Sequence, residues 1–219
     1  APGGFARMAA FYAERARGGV GLMELWLDIY SAAGAKLGDG PIYSLTSFRS
    51  TARLSAGGEW AATVPALDLR AATLLQPKRV ALAYTWSAAG NAVFIGGGPI
   101  EDVRVRIDAG VPLLEVTGGD LLTELANAVL GYAEASNGET AIRAAMPGGW
   151  TIVETDALPT WGARYAHESV LAAWVRAAAQ NDFNLRLAPS GGTIRRLELF
   201  STVVASGIRA TLHAAAPAI

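Results

Sequence analysis

The sequence predicts a mainly β fold, in which a β-barrel is followed by a small α+β domain. From Glu24 onwards apolar side chains fall at alternate positions, and short strand-like runs recur between Gly, Pro and Asp turns as far as residue 118. Such regular spacing is typical of a barrel or sandwich rather than of alternating βα units. After residue 138 the apolar residues recur with the period of a helix, most clearly in the apolar stripe from Val170 to Ala178.

The predicted barrel consists of short strands with glycine-rich connectors. Its first strand starts at Glu24, and residues 31–35 then turn the chain. A helical turn over 68–75 bridges two strands and ends before Pro77, because a residue that precedes proline avoids the helical conformation. The other strands are predicted at 42–54, 58–64, 78–86, 91–96, 100–107 and 111–117.

A helix over 119–130 is predicted to lie across the open end of the barrel, with Asp120 as its N-cap and a leucine-rich stripe behind it. The composition then loosens towards Gly138, which indicates a domain boundary. The elements predicted beyond it are a helix at 139–146, a strand at 150–153, a helix at 168–181, and strands at 183–188 and 194–200 that pair through the turn 189–192.

These elements divide the chain into four predicted segments. Residues 5–17 have the apolar periodicity of a helix, and residues 207–213 form a last predicted strand. The segments are an N-terminal helical part at 1–22, a barrel with its closing helix at 23–131, a small α+β domain at 132–193, and return strands at 194–219 that rejoin a barrel or start one.

Composition excludes several classes of function. Apolar residues make up 52% and charged residues 17% of the 219, which favours a folded core over disorder. The net charge of −1 argues against a binder that grips nucleic acid through a basic field. The chain has no cysteine and only two histidines, so thiolate zinc sites and cysteine nucleophiles are excluded. No window approaches the roughly 18 apolar residues of a membrane span.

Four groups of residues were considered as chemical sites, and each has a structural interpretation that we favour. The glycines at 96–98 suit a hairpin or bulge better than a phosphate-binding turn, because Pro99 removes an amide and a strand follows. Nothing in the sequence brings Asp102 close to Asp108, or Glu134 close to Glu139, as paired carboxylates.

The third group, His167, Glu168 and Ser169, invites comparison with a catalytic triad. Sequence neighbours at the start of a helix rarely converge in space, so we interpret them as local structure. The fourth group, six tryptophans, suits core or interface packing better than sugar binding, with Trp161 as the most exposed. These are Trp26, Trp60, Trp86, Trp150, Trp161 and Trp174. We therefore predict no catalytic residue, no metal site and no cofactor.

An ordered series of segments resembles the tail hub (baseplate hub, tail-tip) proteins of tailed phages and related tail-like particles. The resemblance covers residues 23 to about 200, and the order of the segments makes it more specific than any single one. They are Leu27 to Gly34, Phe48 to Leu54 with Ala56 to Trp60, Val64 to Leu75, Val93 to Ile100, Leu114 to Leu122, and Glu168 to Ala173.

This resemblance implies a tail-tube-like β-barrel in a structural, non-enzymatic subunit of the virion tail or tail-like particle, assembled in the host cytoplasm. It implies a homotrimer ring that contacts the tail tube or distal tail protein and the tip or tape-measure proteins, with DNA only as cargo in the channel. Along strand 100–107, Arg104 and Arg106 share a face with Asp102 and Asp108. We expect this face to form ion pairs with a neighbour or with itself, away from the lumen.

Residues 1–22 resemble instead an early segment of flavin-dependent enoate reductases, the old yellow enzyme family. This match stops at Met23, and residues 24–60 do not continue that family's pattern. Because Met23 would make a natural initiator, we interpret residues 1–22 as having a separate origin. Two alternatives remain open: a fragment of such a reductase with a TIM barrel, and a tip module that binds carbohydrate through tryptophan.

Overall fold

The computed structural model describes residues 24–51, 57–155, 157–190 and 192–201. The predicted helix at 5–17 and the predicted strand at 207–213 lie outside these ranges. The described chain is mainly β, with largely antiparallel sheets and a few short helices, which confirms the predicted fold class. Within it, no helix is long and apolar enough to cross a membrane.

The described residues between 24 and 119 form a unit that we call the sandwich. Its elements are β1 Leu25–Tyr30, β2 Lys36–Ile42, β3 Ser47–Thr51, β4 Glu59–Pro65, α1 Leu69–Leu74, β5 Val80–Trp86, β6 Ala92–Pro99, β7 Asp102–Asp108 and β8 Val111–Gly119.

The sandwich contains two four-stranded antiparallel sheets. The first sheet has the order β2-β1-β5-β6 and the second has β3-β4-β8-β7. In the described residues no strand pairing joins the two sheets, so the predicted closed barrel is corrected to two facing sheets. Pro99 ends β6, and the chain then crosses to the second sheet, where β7 pairs only with β8. The antiparallel order also differs from the alternating βα units that a TIM barrel requires.

Two strand predictions were wrong in detail. The predicted strand 42–54 is divided between β2 and β3, with residues 43–46 outside both. Strand β2 was missed because it contains Gly38, Gly40 and Pro41, which are typical of turns. Both glycines have positive φ, and the register with β1 shifts beside them. Pairing with β1 therefore overrides the low strand propensity of this segment.

Glycine allows the two sheets to approach closely where β6 passes β8. A Cβ atom on Gly98 would lie 2.2 Å from the carbonyl oxygen of Gly119, and one on Gly118 would lie 1.9 Å from that of Pro99. Behind this crossing lies a core of side chains from both sheets, which includes Leu27, Ile29, Trp60, Val64, Ala81, Ala83 and Val116. The close backbone contact explains why this corner contains no larger residue.

The described residues between 120 and 201 form the C-terminal unit. Its elements are α2 Leu122–Asn127, β9 Val129–Leu130, β10 Ala133–Ala135, α3 Gly138–Ala144, β11 Thr151–Glu154, β12 Ala163–Tyr165, β13 Glu168–Ser169, α4 Val170–Asn181, β14 Phe183–Leu187 and β15 Arg196–Ser201. The predicted pairing of the last two strands is confirmed, from Phe183 opposite Ser201 to Leu187 opposite Leu197. Strand β11 adds to β15 in parallel.

The helix predicted at 119–130 is shorter and packs elsewhere. It spans α2 only and is followed at once by β9. Its buried Leu122 and Leu125 belong to the core of the C-terminal unit, with Leu171 and Trp174 of α4, and do not close a barrel. Asp120 precedes the helix, and its Oδ1 accepts the N–H of Thr123 at 3.2 Å, so its capping role is partly as predicted.

The two units pack against each other through apolar side chains. Tyr30, Val80 and Leu82 on the outer face of the first sheet contact Leu121 and Ile194. Part of the outer face of the first sheet is thus covered by the C-terminal unit.

A polar cluster, which we call the Glu124 cluster, joins α2 to the segments before β11 and β15. Arg195 donates to both carboxylate oxygens of Glu124, with Nε–Oε2 at 2.6 Å and Nη2–Oε1 at 2.7 Å. Trp150 Nε1 also donates to Glu124 Oε2, at 3.1 Å. Three donors on one carboxylate fix the relative positions of these segments.

Candidate functional site

The carboxylates considered as catalytic pairs are separate and bound to arginine. Asp102 and Asp108 stand at opposite ends of β7, roughly 20 Å apart at the rise of an extended strand. Asp102 pairs with Arg104, and Asp108 Oδ2 accepts from Arg106 Nη2 at 2.8 Å. The prediction that this face forms ion pairs with itself is confirmed, while its position relative to a lumen stays a prediction.

Glu134 and Glu139 also have separate partners. Glu134 lies 3.1 Å from Arg164 on the paired strand β12, and Glu139 forms an i,i+4 pair with Arg143 on α3. Neither carboxylate is free to act with the other as an acid–base pair.

His167, Glu168 and Ser169 serve the start of α4, as interpreted from the sequence. The Ser169 hydroxyl accepts the N–H of Ala172 at 3.1 Å, which makes it the N-cap of the helix. Glu168, two residues before the helix, pairs with Arg176 of α4. His167 is exposed and has a positive φ of 52°, so it turns the chain into the helix. The three side chains do not converge as a triad.

The glycines at 96–98 lie within β6, beside a bulge. The register opposite β5 shifts between Ala83 and Tyr84, which pair with Gly96 and Phe94. Gly97 has a φ of +123°, and a Cβ atom there would lie 2.2 Å from a backbone oxygen of β5. The strand continues into the glycines, so this segment forms a bulge and not an anion-binding turn, in agreement with the sequence.

The prediction that Trp161 is the most exposed tryptophan is wrong. Its side chain is only 8% exposed and its ring centroid lies 5.6 Å from that of Phe183. Gly138 makes room for it, because a Cβ atom there would lie 2.2 Å from the indole nitrogen. Trp86, at 46% exposure, lies at the surface, with its ring centroid 4.6 Å from that of Trp26.

A polar cavity of about 270 Å³ lies on the outer face of the first sheet, beside Asp28, Tyr30 and Tyr84. Burial raises the pKa of the Tyr84 phenol, and the neighbouring Tyr30 acts in the same direction. Lys36 Nζ lies 2.8 Å from Asp28 Oδ1, so the buried carboxylate forms an ion pair within the chain. Among the described residues, no group of three or more His, Asp or Glu side chains could hold a metal ion.

The most distinctive surface is the free edge of the second sheet at β7. In the antiparallel pairing with β8, Val103, Val105 and Ile107 fall opposite Val116, Leu114 and Pro112 and so face the same side as the core. Val105 and Ile107 are nevertheless 68% and 73% exposed.

Strand β7 therefore extends beyond the part of the second sheet that the first sheet covers. Its outward backbone groups have no strand partner in the described chain. An open edge with exposed apolar side chains is a site for addition of another strand. The sequence predicted this strand and its alternation, but contained no signal that its apolar face would be left uncovered.

No protein-family model matches this sequence, and no curated protein matches it. Solved structures do resemble the chain. A 43 kDa tail protein of prophage MuSo2 from Shewanella oneidensis matches with a TM-score of 0.55 and 14% identity, over 80% of this chain and 52% of its own. A tail protein from Neisseria meningitidis MC58 matches with a TM-score of 0.53 and 13% identity, over 80% of this chain and 50% of its own.

A third similar structure is the Francisella PdpA–VgrG complex, with a TM-score of 0.53 and 10% identity, over 90% of this chain and 35% of the matched chain. The chain thus spans about half the length of the two tail proteins and a smaller part of this third chain. At these identities the comparisons show a shared fold.

Proposed function

We propose that this protein is a structural subunit of a phage tail or tail-like particle, a hub that joins the tail tube to the tip or baseplate. The observation that most supports this proposal is the fold, which two tail proteins share over 80% of the chain. The proposal includes the division into a β-rich hub region at 23–131 and a small α+β domain at 132–193. The sheet-rich sandwich and the C-terminal unit packed on it suit a component that is held between neighbours.

The proposed role is not enzymatic. The carboxylates that could have formed acid–base pairs are each held by an arginine, and Ser169 is used as a helix cap. Such contacts fix local structure and leave no assembled nucleophile and base among the residues that were candidates. What the chain offers instead is exposed sheet edge and apolar surface at β7.

The proposed assembly is a homotrimer ring around an axial channel, in contact with the tail tube or distal tail protein on one side and tip or tape-measure proteins on the other. DNA would pass through the channel as cargo. A near-neutral chain, with 18 basic and 19 acidic residues, suits such passage because phosphate contacts would retain the strand. A closed ring also pairs the sheet edges that would otherwise promote aggregation.

The proposal is tested in the native particle. Tails labelled with a gold-conjugated antibody against this chain should carry label at the junction of tube and tip, and removal of the chain should give tubes that lack the tip. Label along the whole tube, or intact tips without the chain, would contradict the hub role. A preparation that binds flavin and absorbs visible light would support the enoate reductase alternative instead.

A further inference from the structure

We propose that the outer face of the first sheet carries a binding site for a neutral oligosaccharide, in a groove that joins an aromatic surface to the polar cavity beside Asp28. The inference goes beyond the hub role and does not depend on it. The aromatic surface, which we call the aromatic patch, lies at the end of the first sheet where β1 begins. Its members are Trp26, Tyr43, Tyr84, Trp86 and Phe94.

Two exposed rings of the aromatic patch pack on a buried one. Trp26 is only 5% exposed, and its ring centroid lies 4.6 Å from that of Trp86 and 6.3 Å from that of Tyr43. The buried ring restricts the motion of the two rings at the surface. Exposed aromatic rings that are already held in place offer apolar faces on which a ligand can stack with little loss of side-chain entropy.

The polar cavity begins where the aromatic patch ends. Tyr84 belongs to both, because its ring centroid lies 6.0 Å from that of Trp26 and it also lines the cavity. Ala92, another lining residue, stands opposite Trp86 in the pairing of β5 with β6. A ligand that stacks on Trp86 can therefore extend into the cavity. The facing wall comes from the C-terminal unit, with Pro189, Ser190, Gly192, Thr193 and Ile194.

The lining of the cavity favours a ligand that is rich in hydroxyl groups. One carboxylate and four hydroxyl-bearing side chains contribute to it, from Asp28, Tyr30, Tyr84, Ser190 and Thr193. A carboxylate only accepts hydrogen bonds, whereas a hydroxyl group both donates and accepts them. A ligand whose own hydroxyl groups donate and accept can pair with all of these side chains. Apolar rings beside a few convergent polar groups are typical of small-molecule sites.

The ion pair of Asp28 argues for a neutral ligand. Lys36 Nζ lies 2.8 Å from Asp28 Oδ1, so a cation such as choline, which aromatic rings also attract, would compete with an ammonium group already in place. A proline-rich peptide also suits exposed aromatic rings, but its prolines have no N–H to donate to the carboxylate. A pyranose ring offers a C–H face for stacking and a rim of hydroxyl groups. A neutral oligosaccharide therefore fits both parts of the groove.

Binding is tested by isothermal titration calorimetry of the full chain, with cellohexaose, chitohexaose and maltohexaose as probes. We expect at least one of them to bind with a dissociation constant of about 1 mM or lower. Trp86→Ala and Ala92→Gln should each weaken this binding at least about tenfold, because the first removes the stacking surface and the second fills the cavity. Tyr132→Ala is the control, since Tyr132 is 63% exposed but does not belong to the groove.

Sugar binding that is absent, or that does not depend on the groove, would overturn the proposal. Absent binding means that none of the three probes binds, and independence means an unchanged affinity in either groove variant or an equal loss in Tyr132→Ala. Tighter binding of choline or of an oligoproline peptide would also overturn it. Trp86 and Ala92 are both exposed, so we expect the variants to fold, which circular dichroism verifies. Failure to bind sugar would leave the hub proposal intact, because labelling of native tails tests that proposal separately.

Discussion

Replacing Arg195 by methionine should destabilise the protein substantially, because it leaves the Glu124 carboxylate without its main partner. Arg195 and Glu124 side chains are only 12% and 23% exposed, and two N–H groups of Arg195 reach the carboxylate at 2.6 and 2.7 Å. Removing one partner of a buried pair costs about 3–5 kcal/mol. Partial solvent access and the remaining hydrogen bond from Trp150 reduce this, so we expect a loss of about 2–4 kcal/mol.

The assay is urea unfolding followed by circular dichroism and by tryptophan fluorescence, with the free energy extrapolated to water. For a protein of this size the expected loss corresponds to a decrease in Tm of roughly 4–16 °C. Arg164→Met is the matched control, since its ion pair with Glu134 has both side chains about two-thirds exposed and should contribute less than about 1 kcal/mol.

A double-mutant cycle separates the ion pair from other effects of the substitution. Glu124→Gln, Arg195→Met and the double variant should give a coupling energy of about 1–3 kcal/mol, because the double variant has no unpaired charge. A loss for Arg195→Met no larger than that of the control, or additive single losses, would refute the reasoning. Either result would mean that apolar contacts alone hold α2 to the segments before β11 and β15 within the C-terminal unit.

Two further predictions concern the sheets. Gly98→Ala should destabilise the protein by about 2–4 kcal/mol in thermal unfolding, because its Cβ would lie 2.2 Å from the backbone oxygen of Gly119. Gly148→Ala is the control and should be nearly neutral, since a Cβ atom there would have nothing within 4 Å. Equal effects of the two substitutions would contradict the close contact between the sheets. The hydrogen bond from Arg186 lowers the pKa of Glu198, so this group stabilises the fold above its unfolded pKa and the contribution is lost as the pH falls through the folded value. Arg186→Met should raise the pKa of Glu198 in an NMR titration, and an unchanged value would contradict that cause.

Local pattern was sufficient to predict most strands but not their neighbours. The alternation of Val103, Val105 and Ile107 predicted β7, and the apolar stripe from Val170 predicted α4. Strand β2 escaped because its glycines and proline favour turns, and only pairing with β1 makes it a strand. The same limit applies to the predicted barrel, because the alternation of apolar residues along a strand does not specify whether two sheets join edge to edge into a closed barrel.

The candidate site depends on contacts that sequence periodicity does not report. Burial of Trp161 requires the space left by Gly138, which lies 23 residues earlier in the chain. The ion pair between Glu124 and Arg195 joins residues 71 positions apart. Exposure of Val105 depends on where the first sheet ends. Each of these is a tertiary property, whereas the pairing of charges along β7 involves near neighbours and could be predicted.

Electron cryo-microscopy of the native tail tests the central claim most directly. The account predicts three copies of this chain in a closed ring at the junction of tube and tip. It also predicts that the face with Arg104 and Arg106 lies away from the lumen. A monomer in the particle, a sixfold ring of this chain alone, or a channel lined by Arg104 and Arg106 would contradict it.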